Sequence, residues 1–218
     1  MKAELSLFFF IEVIGTIAFA SSGAMIAIKK QLDLLGVIVL GVTTAVGGGM
    51  IRDMIIGNVP PALFQNPIYV LLAFFTVMIL FVIVRLNQQI IASRSMATYE
   101  KVMNIFDAIG LGAFTVVGID TAIFSGYGQY HFLTIFLGVI TGVGGGILRD
   151  IMAGQTPYVL RKHIYASASI TGAILYAALV EHINGNAAML AGACSVVLIR
   201  LLATHYRWNL PTATKNKA

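Results

Sequence analysis

The chain has 218 residues, 58% of them hydrophobic and only 11% charged, with 14 Lys and Arg against 9 Asp and Glu. A water-soluble domain carries about a quarter charged residues, so this composition excludes an ordinary soluble enzyme or binding module and points to a membrane. The net charge of +5 is dispersed, with no basic run interleaved with aromatic residues, and no nucleic-acid partner is expected.

Apolar runs bounded by charges, Gly or Pro predict an all-α integral membrane protein of seven spans, at about residues 5–28, 34–56, 68–84, 102–119, 132–153, 164–180 and 187–204. Each span needs about 20 residues to cross the bilayer, so the connections are short and a single membrane domain fills residues 1–218. The first run opens like a signal peptide, with Lys2, an apolar stretch and Ala18-Phe19-Ala20. It contains Glu12 and continues to Ile28, however, and its pattern returns later in the chain; it is read as a retained helix. The Phe-rich third span is expected to face lipid. The sixth, with Ala166, Ser167, Ala168, Ser169, Gly172 and Ala173, is expected to pack on protein. The lone Cys194, in the seventh run, excludes an intrachain disulfide and is read as a packing residue. Asp120, Glu181 and the four His fall near predicted ends and carry no assigned chemistry.

The chain repeats itself. Residues 41–63 read GVTTAVGGGMIRDMIIGNVPPAL and residues 138–160 read GVITGVGGGILRDIMAGQTPYVL, with 12 of 23 positions identical at an offset of 97. Upstream, at an offset of 95, Glu12, Gly15, Ala18, Phe19 and Gly23 match Asp107, Gly110, Ala113, Phe114 and Gly118. The third helices share Ile68-Tyr69 and Ile164-Tyr165. Each copy therefore holds three helices, about residues 5–86 and 100–182, followed by a seventh at about 187–206. An odd number of spans per copy makes the two copies inverted, as in many transport proteins.

Basic residues set the orientation. Lys29, Lys30, Arg85, Arg94, Lys101, Arg161, Lys162, Arg200, Arg207, Lys215 and Lys217 fall on one side and only Lys2 on the other. This predicts an outside N-terminus and a cytoplasmic C-terminus in a cell (inner) membrane.

Two features carry candidate chemistry. The triplets Gly47-Gly48-Gly49 and Gly144-Gly145-Gly146 each cost about 3 kcal/mol of helix propensity against alanine. Either they break or kink the second and fifth helices and free carbonyls of Gly47, Gly48, Gly144 and Gly145 for K+ or Na+ in transit, or they let helices pack closely. The second feature is charge inside spans: Glu12, Arg52, Asp53, Asp107, Arg149 and Asp150. Adjacent Arg and Asp point about 100° apart on a helix, so partners on other helices are expected: Glu12 with Arg52, and Asp107 with Arg149. The alternative is interfacial snorkelling. Asp53 and Asp150 are then left to face a pore or cap backbone amides. Thr44 and Thr141, three residues before the triplets, either line the same cavity or bond back to their i−4 carbonyls. No HExxH, GxSxG or GxxxxGK[ST] motif is present, and neither enzymatic activity nor a cofactor is expected.

Two three-helix copies, each with GGG-xx-RD, followed by a seventh helix resemble the trimeric intracellular cation channel (TRIC) family in its prokaryotic branch, whose domains have also been labelled glycine-transporter domains. The resemblance implies a homotrimer in the lipid bilayer, with one pore for K+ and Na+ through each protomer and kinks at both triplets. Small-residue faces such as Ala20-xxx-Ala24 and the sixth helix offer trimer contacts. A secondary transporter for a small solute such as glycine is the alternative, and a non-conducting membrane scaffold a third reading.

Overall fold

The computed structural model describes residues 2–87, 96–161 and 164–208, and among them the regular structure is helical throughout. Arg94, Lys162, Lys215 and Lys217 of the orientation count lie outside the described residues. In chain order the helices are α1 (Lys2–Lys29), α2 (Leu34–Ile55), the short α3 (Ala62–Gln65), α4 (Ile68–Leu86), α5 (Met96–Ala122), α6 (His131–Met152), the short α7 (Tyr158–Arg161), α8 (Ala166–Leu179) and α9 (Gly185–His205). A π-helical turn, Ile123–Tyr127, closes α5, with Gly126 at φ 87°.

Six of these helices are long and apolar enough to cross a membrane. The expected sixth span is different: α8 has 14 residues, about 21 Å at 1.5 Å per residue, against a hydrocarbon core of about 30 Å. The fourth expected span is longer than its apolar stretch, because α5 begins at Met96 among polar residues.

α1, α2, α5 and α6 pack together at the centre, α4 lies against α1 and α2, α8 lies against α5 and α6, and α9 lies against α5 and α8. The two copies use the same local devices. At the end of α2, Gly57 takes φ 76°, with its N–H on Met54 O and the Asn58 N–H on Asp53 O. At the end of α6, Gly154 takes φ 65°, with its N–H on Ile151 O and the Gln155 N–H on Asp150 O. This is the Schellman arrangement, and the left-handed position is why both copies carry Gly there.

The triplets correct the expectation of broken helices. α2 and α6 run as unbroken α-helices through Gly47–Gly49 and Gly144–Gly146, so carbonyls are not released there for cations. Their role is close approach. A Cβ on Gly48 would overlap the carbonyl oxygen of Thr141, and one on Gly145 would overlap that of Thr44. Each copy thus presses a triplet glycine onto the backbone of the other copy's helix, one turn before its own triplet.

A second correction concerns the small-residue faces. Ala20 and Ala24 are fully buried inside the chain, as are Ala168, Ser169 and Ala173 of α8, so neither face is available to another protomer. The exposed apolar surface lies elsewhere, as on α4 with Leu71, Phe75, Ile79 and Ile83. Cys194 is exposed instead of packed.

Candidate functional site

The intramembrane charges gather into two clusters, one at each end of the central four helices. At the end that holds the start of α1, Arg52 on α2 turns back onto its own neighbour: Nε and Nη2 donate to Asp53 Oδ1 at 3.0 and 2.8 Å. Asp53 Oδ2 in turn accepts the Ala62 amide at 2.9 Å, fastening the start of α3 to α2. Glu12 on α1 does not meet Arg52 as expected. Its Oε2 accepts a hydrogen bond from the Tyr69 hydroxyl on α4. Adjacent Cα–Cβ directions diverge by about 100°, yet a guanidinium on a three-carbon stem reaches the adjacent carboxylate without leaving its helix.

At the other end, Arg149 on α6 is completely buried. Its Nη1 donates to Asp107 Oδ1 on α5 at 2.5 Å and to Ser22 Oγ on α1 at 2.7 Å, and its Nε donates to Asp150 Oδ1 at 2.9 Å. Asp150 Oδ2 accepts the Tyr158 amide at 2.7 Å, the counterpart of the Asp53–Ala62 tie. The Tyr165 hydroxyl donates to Asp107 Oδ1 at 3.2 Å, the counterpart of Tyr69 on Glu12. Arg200 on α9, counted above among cytoplasmic charges, is buried instead: its Nη2 is 3.5 Å from Asp107 Oδ2 and its guanidinium lies over the Tyr165 ring at 4.6 Å. Burial raises the pKa of the Tyr158 phenol, partly offset by Arg149, so the ring is neutral beneath that cation.

The two ends therefore differ. The Arg149 end is knit shut by side chains from α1, α5, α6 and α9. The Arg52 end opens into a cavity of about 300 Å³ whose lining includes Glu12, Thr16, Gly49, Arg52, Asp53, Tyr69, Phe114 and Thr141. The Phe114 ring lies 5.4 Å from that of its repeat counterpart, the fully buried Phe19.

Of the residues singled out in the sequence, Gly49, Asp53 and Thr141 line this cavity together with Glu12 and Arg52, whereas Thr44, Gly47, Gly48, Gly144, Gly145, Gly146 and Asp150 do not. The hydroxyls of Thr44 and Thr141 donate to the carbonyls of Leu40 and Leu137 at 2.6 and 2.5 Å. Sequence reasoning missed Tyr69, Tyr165, Ser22 and Arg200. The first two were visible in the matched Ile-Tyr pairs; nothing in the sequence marks Ser22. Asp120, read as terminal, is buried and accepts a hydrogen bond from Tyr176.

A family model described as glycine transporter matches the chain twice, over residues 9–85 and 104–181. The UPF0126 inner membrane protein YadS of Escherichia coli K12 is 36% identical over 208 residues, 94% of this chain and 96% of that protein. A UPF0126 membrane protein of Vibrio cholerae is 36% identical over 98% of this chain and 86% of its own length. Among solved structures, the trimeric intracellular cation channel orthologue from Rhodobacter sphaeroides is 31% identical with a TM-score of 0.82, covering 93% of this chain and 99% of that one. A prokaryotic TRIC channel crystallised in 0.5 M KCl is 29% identical with a TM-score of 0.84, covering 94% and 100%.

Proposed function

This chain belongs to the trimeric intracellular cation channel family, and on that premise we propose that it is a monovalent cation channel, conducting K+ and Na+ through each protomer of a homotrimer in the cell inner membrane. The observation that carries the reading is the cavity beside Glu12, set among α1, α2 and α5 in a chain that superposes on solved TRIC cation channels over nearly its whole length. The path enters past Glu12, Asp53 and Gly49, passes Thr141, and continues between α1, α2, α5 and α6 toward the Arg149 cluster. Arg52 does not repel cations, because Asp53 neutralises it at 2.8 Å.

The two copies form inverted three-helix repeats, with α8 as the sixth span and α9 the seventh. In support, the loop after α5 reaches the end of α2, where the Tyr127 hydroxyl donates to the Ile56 carbonyl at 3.1 Å. At the opposite end Lys29 of α1 meets Glu100 near the start of α5. The cavity end, with the N-terminus, faces outside.

Purified protein in liposomes tests the reading. Ion flux far above about 10³ per second, with single-channel steps that persist when K+ replaces Na+, is the expected result. The other reading is a carrier for a small solute; the family model's description and a path open at only one end favour it. Saturable, counterflow-competent glycine uptake without channel steps would establish the carrier and overturn the channel.

A further inference from the structure

The cavity beside Glu12 has room for more than a bare monovalent cation. Its volume of about 300 Å³ sits at the lower end of the about 300–1,000 Å³ of small-molecule pockets, which are mostly apolar with a few placed polar groups. Its walls match that description. Phe8, Ala45, Val46, Met50, Leu63, Phe114 and Val117 are apolar, and the polar groups converge around Glu12.

The charges there do not cancel. Arg52 is spent on Asp53, leaving one guanidinium against two carboxylates. Among the described residues Glu12 has no cation within salt-bridge distance; its partner is the neutral Tyr69 hydroxyl, which engages Oε2. Glu12 is only partly buried, so its carboxylate meets the cavity. Three rings, of Phe8, Tyr69 and Phe114, line the same space, and aromatic faces attract cations. From α5 the lining residues are Phe114, Val117 and Thr121, and from α6 Thr141, none of which brings a positive charge.

We propose that this cavity is a binding site for a small amphiphilic ammonium ion, with the cationic head at the Glu12 carboxylate and the apolar body among Phe8, Phe114 and Val117. A neutral molecule of the same shape would gain the apolar burial and lose the charge. An inorganic cation would keep the charge and leave the apolar walls uncovered. Where the path conducts, the occupant obstructs it from the cavity end; the binding itself does not depend on conduction.

The probe is 2-phenylethylammonium, with 2-phenylethanol as its neutral counterpart. Each is titrated calorimetrically into lipid nanodiscs holding the protein, with protein-free nanodiscs subtracted. The ammonium is expected to bind at least about tenfold more tightly than the alcohol, and Glu12→Gln to remove that preference while leaving alcohol binding unchanged. Val46→Phe, at a partly buried position of the cavity wall, narrows the cavity and keeps Glu12, and is expected to abolish binding of both. It carries the test if Glu12→Gln fails to fold. Equal affinity for the two probes overturns the proposal, as does full ammonium binding in Val46→Phe or in folded Glu12→Gln. Cation flux is measured separately: binding without flux refutes conduction alone, and flux without binding refutes this site alone.

Discussion

Glu12 and Asp107 are counterparts in the two copies and each accepts a hydrogen bond from the counterpart tyrosine, Tyr69 or Tyr165, yet of the two only Asp107 is bonded to the arginine of its own cluster, Arg149. Residue type explains part of the difference. Arg149 holds three side-chain partners from one fully buried guanidinium, a task for a planar fork of donors that lysine cannot reproduce. Arg149→Ala leaves Asp107 with Arg200 alone as a cation and takes the cation from Asp150, and should lower stability by about 3–5 kcal/mol. Arg52→Ala, at 7% exposure and beside an open cavity, should cost clearly less. Thermal unfolding of the two variants in the same detergent checks the order. A double-mutant cycle of Glu12→Ala and Tyr69→Phe should return about 1.5–3 kcal/mol of coupling, the range of a hydrogen bond to a charged group. The cycle of Glu12→Gln and Arg52→Gln should return much less. The acid, the arginine and the aspartate were all legible as intramembrane charges. The expected pair of Asp107 with Arg149 is present; the partner of Glu12 was not legible, because helical wheel directions say nothing of how a flexible side chain folds back.

At the scale of elements, the duplicated GGG-xx-RD marks the place where α2 and α6 cross, and the substitution pattern within a triplet distinguishes crossing from breaking. Gly48→Ala and Gly145→Ala drive a methyl into a backbone carbonyl that cannot swing aside. Each should destabilise by about 1–3 kcal/mol, as overpacked sites do. Gly49→Ala meets only the Arg52 guanidinium, at 3.7 Å, and should be neutral or stabilising by up to about 1 kcal/mol through helix propensity. Unfolding midpoints of the three variants decide the matter; equal damage at all three positions would return the triplet to a break. The sequence carried both meanings of the motif. What it lacked was the neighbour: glycine conformation is a property of one chain segment, whereas close approach depends on which carbonyl the fold brings opposite. Helix ends were more readable, since Gly57 and Gly154 sit where the Schellman geometry demands them.

For the whole molecule, the all-helical membrane plan and the sequence duplication were legible because hydrophobic runs and self-similarity are properties of sequence alone; the shortness of α8, which leaves six helices long enough to cross among the described residues, was not, because its apolar run includes residues that cap and turn. Orientation can be checked directly. In a Cys194→Ser background, Val59→Cys should react with an impermeant maleimide from outside intact cells, and Gln31→Cys only after permeabilisation. The two positions lie in loops at opposite ends of α2.

α9 has no counterpart in the first copy, and it is α9 that brings Arg200 to Asp107. Among the described residues, one cluster thus sets two cations beside two carboxylates, while the other sets one cation beside two. In the channel proposed above, this unequal charge at the two ends predicts rectification. With identical KCl on both sides, equal and opposite voltages should drive unequal currents, and Arg200→Gln should alter the ratio between them. A current–voltage curve that is linear, and stays linear in that variant, would show that the seventh helix leaves the electrical symmetry of the repeats intact.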